Sequence, residues 1–169
     1  YLKKLSDEEL AEKIMPFLVN YGLMPKENSW NNFNDQEKEW LKKAVALEKE
    51  RATKLSDFPE ALGFLFVKSI DYESELLIWK KSDRNKTKEN LQKLYDFLNE
   101  IEEEEWEMQE IQNKVSEWIK QNNLTNGEVL WPMRTALSGM KNSPGPFEIA
   151  SVLGKTKTLN RISAAIEKL

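Results

Sequence analysis

The sequence predicts an all-α protein made of two consecutive helical-bundle subdomains. Three observations predict it. Apolar residues recur at spacings of three and four along almost every segment, the period of a helix with one buried face, while no alternating strand pattern occurs. Helix-capping residues stand in front of several of these segments. The acidic run 102–105 interrupts the pattern and marks a seam, giving subdomains 1–103 and 104–169.

The elements follow in order. Ser6, followed by Asp7, Glu8 and Glu9, has the form of a capping box, in which the hydroxyl accepts from an orphan N–H and the glutamate reaches back. Leu10, Ile14, Phe17 and Leu18 form the stripe of this first helix, Pro16 should bend it and Gly22 should stop it. Asn34, with Asp35 and Glu37, caps a second helix bearing Trp40, Leu41, Ala44, Val45 and Leu47. Ser56 and Asp57 begin a third, whose Leu62, Phe64, Leu65, Phe66 and Val67 are dense enough to imply burial. Thr87 opens a longer helix through Leu91, Leu94, Tyr95, Leu98 and Ile101. Met108, Ile111, Val115, Trp118 and Ile119 form the next stripe, ended by Gln121, Asn122 and Asn123. After a turn at Asn126 and Gly127, a helix carries Val129, Met133, Arg134 and Leu137 to a stop at Gly139. Ser143 and Pro144 read as an N-cap and first helical residue leading into Phe147, Ile149, Val152 and Leu153. The last helix presents Leu159, Ile162, Ile166 and Leu169.

The chain has 169 residues with 40% hydrophobic and 32% charged composition, the balance of a folded, soluble protein. No apolar run reaches the roughly 18 residues of a membrane span, and Tyr1 opens no signal peptide, so a cytoplasmic protein without membrane partners is expected. Cysteine and histidine are both absent, which excludes from this chain disulfides, zinc–thiolate sites and Cys or His nucleophiles, and no metal is expected. The net charge of −4 lacks the basic excess of a protein that coats nucleic acid. Its distribution is uneven. Residues 124–169 carry Arg134, Lys141, Lys155, Lys157, Arg161 and Lys168 against Glu128, Glu148 and Glu167, so this part is +3 and the rest −7. The C-terminal part is therefore the end suited to a polyanion.

Two motifs fail on their own terms. Gly154, Lys155 and Thr156 resemble the end of a phosphate loop, but Ile149 stands where that loop needs glycine. The run 102–105 points its carboxylates in different directions around a helix, which makes it a solvated face rather than a metal or acid–base site. Of the six tryptophans, Trp40, Trp106 and Trp118 lie in or beside apolar stripes and read as core. Trp131, one turn before Arg134, either lines a binding surface or fills the core.

The informative stretch is 131–155, WPMRTALSGMKNSPGPFEIASVLGK. Its local physics gives a helix with one arginine, a loop rich in Gly and Pro, and a helix start with outward N–H groups. That arrangement suits an unpaired nucleotide, since arginine offers a fixed fork of donors and the loop offers backbone groups. It equally describes an ordinary helix–loop–helix connection.

The stretch resembles the C-terminal signature of bacterial glutamyl-tRNA synthetases. The residues that carry the likeness are Pro132, Met133, Arg134, Thr135, Ala136, Leu137, Ser138 and Gly139, then Ser143, Pro144, Gly145, Pro146, Phe147 and Glu148, then Leu153, Gly154 and Lys155. Weaker likenesses at Tyr1, Leu2, Leu5, Pro16, Phe17, Leu18, Glu50, Arg51, Ala52, Lys54, Leu55, Glu105 and Trp106 extend it over nearly the whole chain. The resemblance implies a helical anticodon-binding region that grips a glutamate-accepting tRNA. ATP and glutamate would be handled by an N-terminal catalytic domain of the same parent chain, so this part holds no cofactor and does not aminoacylate by itself. The resemblance also implies that Arg134 contacts an anticodon base, that Ser143, Pro144, Pro146 and Phe147 form the pocket around the second and third bases, and that Arg51 serves the first. Two departures stand out: Pro146 replaces a residue that is often leucine and supplies no N–H, and Trp131 replaces a residue that is often polar. The reading from another class is an all-helical protein-interaction domain that binds no RNA.

Overall fold

The computed structural model describes residues 1–169, all helix, turn and loop with no strand, and no helix is long and apolar enough to cross a membrane. The chain divides into two compact units, Tyr1–Lys68 and Ser69–Leu169.

In the first unit the Ser6 hydroxyl accepts from the Glu9 N–H at 3.1 Å and Glu9 Oε2 accepts from the Ser6 N–H at 2.8 Å, which starts α1 at Asp7–Tyr21. The helix runs unbroken through Pro16 and ends at Gly22, whose φ of 90° is the left-handed conformation a C-cap needs. Asn34 and Glu37 make the same reciprocal box before α2, Asp35–Ala46. The third helix is shorter than its apolar pattern predicts. A 3₁₀ turn at Leu55–Asp57 leads into α3, Phe58–Leu62, and Gly63–Leu65 closes as a second 3₁₀ turn. Gly63 is a poor helix residue at the point where the α pattern ends. Phe64 and Leu65 are buried, but Val67 is exposed, and Phe66 meets Trp40 edge to face at 5.2 Å. Leu10, Ile14, Leu18, Leu41, Val45, Phe58 and Leu62 are fully buried and form the core, each stabilising the fold by about 1.5–3 kcal/mol.

The second unit opens with an irregular segment containing the 3₁₀ turn Ser74–Leu77, followed by α4 Arg84–Asn99, α5 Met108–Gln121, α6 Asn126–Ser138, α7 Pro146–Leu153 and α8 Lys155–Lys168. The packing divides at 68/69 and not at the expected 103/104. The reason lies in α4. It packs on α6 and α8, which cover its stripe of Leu91, Leu94 and Leu98. The acidic run is solvent-exposed as expected, yet it sits inside this unit, because Lys155 Nζ donates to the carbonyls of Asn99 at 2.9 Å and Ile101 at 2.6 Å.

Three helix starts differ from the sequence pattern. Asp83, not Thr87, caps α4, accepting from the Lys86 N–H at 2.8 Å, and Thr87 lies one turn inside, buried and donating to the Asp83 carbonyl at 2.6 Å. Thr125 and Glu128 form a capping box, so Asn126 and Gly127 are helical rather than a turn. A Cβ at Gly127 would run into the Trp79 ring. The third difference falls at α7 and shapes the site.

Candidate nucleic-acid interface

Helix α6 carries Pro132 in its interior, so the Glu128 carbonyl loses its usual donor four residues on. The buried Asn90 of α4 stands in, its Nδ2 lying 3.5 Å from that carbonyl and 3.4 Å from Glu128 Oε1. Two residues after Pro132 the half-buried Arg134 leaves the helix. The helix stops at Gly139, with φ of 67° and its N–H on the Thr135 carbonyl at 2.7 Å. The left-handed backbone favours glycine there, and a Cβ would also stand close to the Tyr72 and Ile70 side chains, at 3.1 and 3.3 Å.

The chain then curls around Arg134. Its Nη1 donates to the Ser143 hydroxyl at 2.9 Å and lies 3.5 Å from the Met140 carbonyl, and Nη2 donates to the Lys141 carbonyl at 3.0 Å. The guanidinium also lies over the Trp131 ring, 5.0 Å from its centroid. Trp131 is itself fixed, its indole N–H donating to the Leu76 carbonyl at 2.9 Å. Ser138 tightens the turn, donating to the Arg134 carbonyl at 2.9 Å and accepting from the Met140 N–H at 3.1 Å. Backbone carbonyls with one planar cation among them give the loop a defined shape.

Ser143 does not cap the next helix. Its hydroxyl accepts from Arg134 and donates to the Pro144 carbonyl at 2.9 Å. Gly145 is the N-cap of α7 and Pro146 its first residue, with no side chain bonded to the helix start. Proline loses nothing at this position, since a first-turn N–H has no partner within the helix. Pro144 is buried, while Pro146 and Phe147 are half-buried. Arg134, Ser143, Pro144, Pro146 and Phe147 are thus brought together on α6, the loop and the start of α7. Arg51 belongs to the unit Tyr1–Lys68, in a turn where its N–H donates to the Glu48 carbonyl at 3.0 Å and its guanidinium lies 3.8 Å from the Glu48 carboxylate.

Below the loop sits a residue that the sequence pattern did not single out. Arg161 of α8 is buried, and its Nη1 donates to the Leu137 carbonyl at 2.6 Å, placing a cation at the carbonyl end of α6 where the helix dipole favours it. Burial pulls this guanidinium below its ordinary value, to about 10, against the opposing pull of Tyr72, so it stays charged at neutral pH. Burial also pushes the Tyr72 phenol up to about 12. An arginine among Leu159, Ile162 and Ile166 gives no sequence signal of this role. Trp106 is a strut: its indole N–H donates to the Ala150 carbonyl of α7 at 2.9 Å. No group of His, Cys, Asp or Glu is arranged to hold a metal ion.

Fold and site together define an all-helical domain built around an arginine-clasped loop. A family model described as Anticodon binding domain matches residues 9–166, and the chain belongs to that family. Among its relatives, the glutamate–tRNA ligase of Clostridium acetobutylicum is 38% identical over 171 residues, covering 100% of this chain and 32% of that protein. The glutamate–tRNA ligase of Herpetosiphon aurantiacus is 33% identical over 169 residues, again covering all of this chain and 33% of the relative. The chain thus spans about a third of the length of the curated relatives it matches. Its fold matches part of the crystal structure of a glutamate tRNA ligase from Elizabethkingia meningosepticum, with a TM-score of 0.78 and 24% identity over 99% of this chain and 30% of that one.

Proposed function

We propose that this chain binds the anticodon arm of a glutamate-accepting tRNA as the C-terminal part of a glutamate–tRNA ligase. In that protein an N-terminal catalytic domain uses ATP to join glutamate to the tRNA, in the cytoplasm. The observation that carries the reading is the clasped loop. Arg134, Ser143, Pro144, Pro146 and Phe147 converge at one end of α6 in an anticodon-binding family member, and the likeness of the whole of this chain to about a third of a glutamate–tRNA ligase points to the tRNA.

A splayed base needs a planar donor, an apolar wall and backbone groups for its edges. Arg134 supplies the first, Pro146 and Phe147 the second, and the carbonyls and amides of the loop the third. Arg51 is assigned to the first anticodon base. The test is equilibrium binding to glutamate tRNA and to transcripts with each anticodon base exchanged. Tighter binding to the cognate transcript is expected, and equal, weak binding to all would overturn the reading.

A further inference from the structure

The position of Arg134 is set from two sides. Loop carbonyls and the Ser143 hydroxyl hold the ends of its guanidinium, and its central carbon lies over the Trp131 ring, 5.0 Å from the centroid. The first set belongs to the loop itself and moves with it. Trp131 does not, because its indole N–H is tied to the Leu76 carbonyl, 55 residues away in sequence, on the turn Ser74–Leu77. That turn is packed on α6 and α8, with Leu77 fully buried at its end. The ring therefore offers a fixed plane, referenced to the core of the unit, on which the guanidinium lies.

We propose that Trp131 is a positioning residue for Arg134, setting the plane of the guanidinium fork and so the strength of anticodon discrimination. The proposal rests on the anticodon-binding reading above. A planar fork reads a base edge only when its plane is fixed, because a tilted fork keeps its charge and its general attraction to RNA while losing the paired bonds that distinguish one base from another. An aromatic face attracts a guanidinium and orients it parallel or nearly so, which an aliphatic side chain of equal bulk does not. Loss of the ring should leave overall tRNA affinity less affected than the ratio between cognate and exchanged transcripts.

The test compares the full chain with its Trp131→Phe, Trp131→Leu and Arg134→Ala forms, measuring binding to a glutamate tRNA transcript and to anticodon-exchanged transcripts. Trp131→Phe keeps a ring face but lacks the indole N–H that ties the ring to the Leu76 carbonyl, so its discrimination should fall between the wild-type and leucine values. Trp131→Leu should lose about three- to tenfold of it, and should lose nothing further when Arg134 is already alanine. Leucine retaining the wild-type ratio, or an equal loss in the Arg134→Ala background, would overturn the proposal. If leucine disturbs folding, tryptophans carrying one to four ring fluorines at position 131 weaken the π face at constant shape. Discrimination should then fall stepwise at an unchanged melting temperature, and a flat series would refute the proposal. Failure of the anticodon reading is visible separately, as wild-type protein that binds all transcripts alike. In that case the Arg134 Nε–H resonance decides the positioning claim alone: it should broaden in the leucine form and less so in the phenylalanine form, and a resonance unmoved in the leucine form would sink it.

Discussion

Arg134 and Ser143 are joined across the loop at 2.9 Å, and the same hydroxyl donates a hydrogen bond to the Pro144 carbonyl. Residues nine apart in sequence are thereby closed into one ring that shapes the surface before α7. Arg134→Ala removes the fork and opens the loop at once. Cognate tRNA binding should weaken by about 1–3 kcal/mol, helical circular dichroism should be unchanged, and amide exchange should accelerate at 140–145. Protection of those amides equal to wild type would show that the loop holds its shape without Arg134.

Gly127 makes an unusual prediction, because it lies inside α6 where alanine is the better helix former by about 1 kcal/mol. Its missing side chain makes room for the Trp79 ring. Gly127→Ala should therefore destabilise the chain by about 1–3 kcal/mol, as overpacking does, read from urea denaturation. A stabilised variant would mean that Trp79 moves aside freely.

Much of this was legible in the sequence because it is local. The capping boxes at Ser6 and Asn34, the left-handed stops at Gly22 and Gly139, and the helical stripes all depend on residues within a turn or two of one another. The family signature likewise names Arg134, Ser143, Pro144, Pro146 and Phe147, which the fold places together at the end of α6 and the start of α7. What the pattern missed depends on partners far along the chain. Lys155 lies in the Gly154–Thr156 triplet that fails as a phosphate loop, and only the fold shows that it staples Asn99 and Ile101. The expected seam at 103/104 differs from the packing division at 68/69 because exposed glutamates look the same at a seam and on a 3₁₀ turn within one unit. Ser143 was read as a cap because a serine before proline fits that role locally, and only the fold brings Arg134 to compete for its hydroxyl.

Asn90 tests how the unit tolerates a proline in mid-helix. Its amide faces the Glu128 carbonyl that Pro132 leaves without a backbone donor. Asn90→Ala should cost about 1 kcal/mol, the worth of a hydrogen bond in a buried setting. In a Pro132→Ala background the backbone N–H returns, and the cost of losing Asn90 should shrink. A double-mutant cycle in urea measures the difference; additive costs would mean that Asn90 serves some other partner.

The acid side of the stability profile should carry the signature of Asp57. Its carboxylate accepts from the Thr53 N–H at 2.9 Å, the Lys54 N–H at 3.0 Å and the Thr53 hydroxyl at 2.9 Å, and these bonds, led by the Thr53 N–H, hold it below its ordinary value of 3.8. A carboxyl whose folded value is depressed is ionised more readily in the native state, so its contribution is complete above the ordinary value and disappears as pH falls through the folded one. Asp57→Asn keeps the shape but removes the charge. The melting temperature of the variant should lie below that of the wild type at pH 7, with the gap constant down to the ordinary carboxylate range. Below it the two curves should converge, because the wild-type carboxyl becomes protonated and loses the same acceptor strength. A gap that persists unchanged through strong acid would show that the asparagine fails through packing rather than through charge.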